Sequence, residues 1–245
     1  MKKKIAILVS LFFILVIWLA PVQLATGFIP KNGKLVVNGL QGSLWSGDVA
    51  QINFDSWQLK NIEYQLSFLT LLSMNVGGSA EIKGGDITGE LDFQIADQST
   101  AKIEDANLVL SAFHLEKYIP FPGVNLAGKL RTSNFSVEMF NQRPKSLSGT
   151  IGWNNATISA IGQNWNLGDF EVVWATEQKN ERMIGTFVKT KNKLSIEGNI
   201  ILTKSGKIEF VGSISTTTDR ALYLALSIYA NGKVSNGRLP IKYPR

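Results

Sequence analysis

Cysteine is absent from all 245 positions. That excludes disulfide staples, thiolate nucleophiles and Cys-ligated zinc, and it fits a reducing or an oxidising compartment equally. Histidine occurs once, at His114, so a His-based metal site or a Ser-His triad has one residue to be built around. His114 lies in SAFHLEK beside a loop and reads as a surface or capping residue. The sequence contains no G-x-S-x-G, no phosphate-binding P-loop and no dinucleotide fingerprint followed by a helix. The acids Asp86, Asp92, Glu104, Asp105 and Glu209 fall in turns or at polar strand positions. General acid–base chemistry needs carboxyls that converge in a pocket with separated pKa values, and this scatter reads as a solvated face. No enzyme activity, cofactor or metal site is expected.

Long apolar runs are also absent, with one exception at the start. MKKKIAILVSLFFILVIWLAPVQLATG opens on Lys2, Lys3 and Lys4, which supply half of the net charge of +6. Ile5–Leu24 is long enough at 1.5 Å per residue to cross a hydrocarbon layer of about 30 Å. Its Leu, Ile, Phe and Val residues favour insertion by about 4 to 8 kcal/mol, before the opposing terms of Ser10, Pro21 and Gln23. A cleaved secretory signal has the same basic start and apolar centre. Trp18 two residues before Ala20, Pro21 after it, and Gln23 before Ala25 make poor peptidase sites, so retention is expected. The three lysines hold the N-terminus in the cytoplasm. The expected organisation is a cytoplasmic start at 1–4, an anchor at 5–24, a linker at 25–30 and a β domain at 31–245 on the far side of the membrane. Polar residues and Pro144 in NQRPKS (141–146) would divide that domain into lobes 31–140 and 147–245.

After Pro30 the pattern has a period of two. Ile62-Tyr64-Leu66-Phe68, Leu91-Phe93-Ile95, Phe170-Val172-Trp174 and Leu222-Leu224-Leu226-Ile228 each put apolar residues on one strand face. KNGK at 31–34, the glycine pairs at 77–78 and 84–85, KNK, KSGK and ANGK read as turns between them. GGDITGE at 84–90 reads as a hairpin turn. Glycine followed two residues later by Leu or Ile recurs at Gly33, Gly42, Gly85, Gly89, Gly128, Gly149, Gly198, Gly206, Gly212 and Gly237. Each reads as a strand start. Short helical turns are expected at Phe68–Met74 and Phe113–Ile119, with Pro120 and Pro122 extending the chain after the second. The fold class is therefore mainly β: one N-terminal transmembrane helix, then an extended, curved, antiparallel hairpin-rich sheet or a sandwich.

Lys189, Lys191, Lys193, Lys204 and Lys207 cluster in sequence and read as protection of exposed strand edges. Outside the leader, Trp45, Trp57, Trp153, Trp165 and Trp174 are mostly core anchors in this reading. Asn134 and Asn155 begin glycosylation-like triplets too short to carry weight.

The most specific stretch is GSLWSG at 42–47, where Gly42 and Gly47 permit tight turns around Leu44 and Trp45 on opposite faces of a short strand. Leu59, Ile62, Tyr64, Leu66 and Leu71-Leu72 follow. GTIGWNNATI at 149–158 supplies Gly149, Trp153 and Ala156, then come Leu167-Gly168, and Gly198 and Gly212 close the series. In order and spacing these elements resemble the type II secretion system protein N family, although an aromatic, usually Trp, stands there where this chain has Tyr64. The resemblance implies an inner-membrane, single-pass accessory subunit that supports export of folded periplasmic proteins across the outer membrane. It implies other inner-membrane and periplasmic secretion components, and inner-membrane lipid, as partners, and no nucleic acid. The alternative is a membrane-anchored periplasmic lipid-handling protein of AsmA-like or lipopolysaccharide-bridge type, with an apolar groove in an open sheet.

Overall fold

The computed structural model describes residues 21–22, 35–97, 99–118, 123–160, 162–177, 179, 182–188, 192–216, 219–227 and 230–244. The chain forms two compact units, Met1–Ala96 and Asp97–Arg245. In each, strands that follow one another in the chain are neighbours in the sheet.

The first unit carries β1 (Leu35–Gly42), β2 (Ser46–Phe54), β3 (Trp57–Leu66), β4 (Val76–Gly85) and β5 (Ile87–Ile95), all paired antiparallel. The turns are short because the linking residues favour them. Asp55 adopts a φ of 54° between Phe54 and its partner Trp57. Asp86 closes the β4–β5 turn: its carboxylate accepts the Gln58 N–H at 2.8 Å, and its own N–H donates to the Gln58 carbonyl at 2.8 Å. Helix α1 (Phe68–Leu72) interrupts the meander between β3 and β4, as the FLTLLSM stretch predicts. Alternation aligns one buried row across three strands. Val49 pairs with Ile62 and Ile62 with Ile82, and each is less than one-tenth exposed. Burying each such side chain contributes about 1.5–3 kcal/mol.

The second unit carries β6 (Thr100–Ser111), a 3-10 helix (Ala112–Tyr118), β7 (Asn125–Phe140), β8 (Arg143–Ala160), β9 (Gln163–Glu177), β10 (Arg182–Val188), β11 (Glu197–Thr203), β12 (Ile208–Ser215), α2 (Arg220–Ser227) and β13 (Arg238–Tyr243). The three longest strands, β7 to β9, stay paired by absorbing irregularities in register rather than by remaining flat. Gly149 shows why glycine is needed there: its φ is 102°, and a Cβ on it would lie 2.3 Å from the Asn134 carbonyl oxygen. The core contains Leu167, Met183 and Ile214, all but fully buried. Helix α2 sets Leu222 into a cluster with Ala156, Leu167, Phe170 and Leu194, while Leu226 packs against that cluster and against Ile214 and Leu239. Between α2 and β13 the chain lies against the strand it leads into: Ala230 bridges Ile241, and Ser235 bridges Arg238. The Asn231 N–H donates to the Pro240 carbonyl at 2.9 Å.

Several expectations need correction. Leu222, Leu224 and Leu226 lie on a helix, not a strand. The Asp219 carboxylate caps it by accepting the N–H groups of Ala221 at 3.0 Å and Leu222 at 3.1 Å. Leu222 and Leu226 then share the buried face at i and i+4, and Leu224 is 56% exposed. Gly77-Gly78 is no turn but the interior of β4, where a Cβ on Gly78 would meet the Gln65 carbonyl oxygen at 2.1 Å. Gly128, Gly149 and Gly89 sit within strands rather than at their starts. NQRPKS is no seam: Asn141 and Gln142, at φ 49° and 62°, form the tip of the β7–β8 hairpin, and Arg143–Ser146 begin β8 with Arg143 paired to Phe140; the compact units divide after Ala96. Among the described residues no helix is long and apolar enough to cross a membrane. The expected anchor, apart from Pro21 and Val22, and the KNGK turn lie outside the described residues.

Candidate functional site

The residues singled out from the sequence gather in two places, one in each unit. In the first, Ser43, Leu44 and Trp45 bend the chain between β1 and β2, so Leu44 and Trp45 occupy a turn and not a short strand. Ser43 organises the turn. Its hydroxyl oxygen accepts the N–H groups of Trp45 at 3.2 Å and Ser46 at 3.1 Å, and its own N–H donates to the Ser46 carbonyl at 2.9 Å. Register places Gly42 opposite Gly47 and Gly47 opposite Tyr64. With no side chain at Gly47, the Tyr64 ring lies over β2, and its hydroxyl donates to the Ser43 carbonyl at 2.6 Å. A Cβ at Gly47 would lie 2.1 Å from the Gln41 carbonyl oxygen and 2.9 Å from the Tyr64 hydroxyl. Leu66 completes the clamp by donating its N–H to the Trp45 carbonyl at 2.6 Å. The indole of Trp45 is half-buried and leans on Phe68 of α1, with ring centroids 5.7 Å apart.

Burial first, and then the Asp48 carboxylate, push the Tyr64 phenol above its ordinary value, so the hydroxyl keeps its proton and its bond to Ser43. On the strands of this unit Lys83 pairs with Glu63, with Glu81 at 3.8 Å. Two members of this site, Ser43 and Phe68, were not singled out from the sequence as site residues. The Ser-x-x-Ser spacing of Ser43 and Ser46 is the signal that could have found the first.

In the second unit Trp153 of β8 faces Phe170 of β9 at a ring separation of 6.0 Å, and its indole N–H donates to the Ala127 carbonyl at 3.0 Å. Ala156 is fully buried opposite Gly168, which also bridges Asn192. Leu167 receives the Lys193 N–H on its carbonyl at 2.8 Å. Gly198 pairs with Gly212, where a Cβ on the former would lie 2.5 Å from the Cα of the latter. Trp165 joins the same cluster, and Gly149 sits at the bend described above. All of these are packing positions. The indole nitrogen of Trp174, beside Gly185, is buried without a hydrogen-bond partner among the described residues.

Among the described residues no group of three or more His, Asp or Glu side chains is placed to hold a metal ion. Asp86 and Glu104 are occupied in a turn and in an ion pair with Lys102 at 2.6 Å, and His114 lies in the 3-10 helix with its ring against Phe113. What the arrangement offers is a clamped aromatic turn in one unit and a tryptophan-centred core in the other.

The family model for type II secretion system (T2SS), protein N, matches residues 33–242, which takes in both places. The chain belongs to that family. A curated relative, type II secretion system protein N of Aeromonas hydrophila, is 23% identical over 255 residues, covering 99% of this chain and 98% of its own length. No solved structure matches. Membership makes this a type II secretion subunit whose β region coincides with the family's matched span.

Proposed function

We propose that the chain is an inner-membrane accessory subunit of the type II secretion system that supports export of folded periplasmic proteins through protein–protein contacts. The observation that supports it is the family match over residues 33–242, taken with an apolar leader of the right length immediately before it. In this reading residues 5–24 tether the chain with its N-terminus in the cytoplasm, and 31–245 works in the periplasm. The clamped turn around Gly42, Leu44, Trp45, Gly47, Tyr64 and Leu66 holds the tethered end in one shape. The packing set around Gly149, Trp153, Ala156, Leu167, Gly168, Gly198 and Gly212 keeps the second unit rigid enough to present a fixed surface to the other secretion components. Binding by rigid elements loses little conformational freedom, which suits a scaffold.

The test uses the tagged chain at native expression. Crosslinking in membranes and purification should recover other secretion components, and deletion should reduce release of a folded secretion substrate into the medium. Recovery of none of those components would refute the subunit reading. A mature chain starting near Thr26 in the soluble fraction would refute the tether.

A further inference from the structure

We infer that the end of the first unit formed by the Trp45 turn, helix α1 and the adjoining strand ends rests on the surface of the lipid bilayer. The inference depends on the tethered reading given above and deepens it.

Three observations converge. The first is where the leader arrives: Pro21, near the outer end of the expected span, bridges Ser43 at the base of the Trp45 turn. A span that ends there places this turn next to the headgroups. The second is exposure. Phe68 is 52% exposed, Leu69 75%, Met74 91%, Val76 41% and Ile95 46%, and Val76 and Ile95 are register partners at this same end. Large apolar side chains this exposed and this close together mark a surface that meets something other than water. The third is charge. From Tyr64 to Ala80, and from Leu35 to Gly47, the sequence has no Asp, Glu, Lys or Arg. The opposite end of these strands also exposes Phe54, but there it adjoins Asp55, Lys60 and Asp86.

A lipid surface fits these features better than a protein groove. Trp45, half-buried against Phe68, has the amphipathic ring that favours the headgroup level. Among the described residues at this end there is no Lys or Arg, so the contact is made by apolar insertion rather than by attraction to anionic lipid.

The chain has no cysteine, so single substitutions Leu69→Cys, Met74→Cys and, at the opposite end, Ser56→Cys each take one environment-sensitive fluorophore. The full-length variants are reconstituted into phosphatidylcholine vesicles whose acyl chains carry a spin-label quencher. Probes at 69 and 74 should shift to the blue and lose most of their emission to the lipid quencher, equally at low and high salt, while the probe at 56 is quenched only by aqueous iodide. Probes at 69 and 74 that behave like the one at 56, in protein that stays with the vesicles, overturn the inference and leave the tether standing. Probes shielded from both quenchers also overturn it, because a second copy of the chain then covers the patch. Protein that fails to stay with the vesicles overturns the tethered reading itself. All three positions are exposed, so folding is not at stake in any variant.

Discussion

Tyr64→Phe should loosen the Trp45 turn by a small and specific amount. The change deletes one hydroxyl, and with it the 2.6 Å bond to the Ser43 carbonyl, while the ring keeps its place over Gly47. A typical intramolecular hydrogen bond contributes about 0.5–1.5 kcal/mol, and stranding a buried carbonyl costs about 1–3 kcal/mol. Ser43 is half-buried, so water can reach the released carbonyl, and the lower range applies. A loss of about 1 kcal/mol corresponds to roughly a five-fold fall in the protection of amides that open with the turn. Hydrogen exchange read by mass spectrometry on the full chain should show that fall in peptides containing Ser46 and Leu66, whose N–H groups bond Ser43 and Trp45. Peptides from β8 and β9 should be unchanged. Gly47→Ala should be much worse, because its Cβ meets the Gln41 carbonyl at 2.1 Å, and adding Tyr64→Phe should not rescue it. Unchanged protection in Tyr64→Phe, or rescue of Gly47→Ala by it, would refute the clamp as described.

Leu222→Ala should destabilise the second unit by about 2–5 kcal/mol, whereas Leu224→Ala, at a position 56% exposed, should leave the urea midpoint nearly unchanged; equal losses would restore the strand reading of this segment. Gly149→Ala should lose more than about 1 kcal/mol, since the residue has a φ of 102° and its Cβ would strike the Asn134 carbonyl, and a urea midpoint equal to the parent's would contradict this. The Asp97 carboxyl is held below its ordinary value by the Ser99 hydroxyl first, then by the N–H groups of Ser99 and Thr100. A lowered folded value means that the folded state binds fewer protons between the two values. The charge-dependent stability is therefore fully present above about pH 3.9 and lost as pH falls through the folded value. The difference in urea midpoint between the parent and Asp97→Asn should narrow on acidification, and a difference that widens would contradict the sign.

Much of this architecture was legible because strand periodicity survives in side-chain order. Ile62-Tyr64-Leu66, Leu91-Phe93-Ile95 and Phe170-Val172-Trp174 all lie on strands, and FLTLL is helical where the alternation breaks. Leu222-Leu224-Leu226 misled because leucine at every second position satisfies a strand while the same residues at i and i+4 satisfy a helix. Asp219 decides between them by capping, with Ala221 and the leucines favouring the helix. Gly77-Gly78 misled for another reason: Gly77 is crowded by Thr70 of α1 and Gly78 by Gln65 of β3, contacts that exist only once β3 and β4 pair and α1 packs beside them. The clamp shows the same limit. Gly47 and Tyr64 each stood out as motif residues, but their partnership exists only through a register that neither local pattern specifies. The order and spacing of those motif residues were enough to point to the family that matches residues 33–242.

The segment from Ala230 to Ser235, which leads into β13, covers part of that strand's outer flank. A flank of sheet recruits foreign strands when its donors and acceptors stand idle. Here Pro240 has no N–H to give, its carbonyl is taken by Asn231, and Arg238 exchanges both its backbone groups with Ser235. An extended peptide arriving at that flank finds the backbone groups of Arg238 and the Pro240 carbonyl already bonded. Strand pairing between copies of this unit is therefore blocked at Arg238 and Pro240, which removes one route to uncontrolled polymerisation.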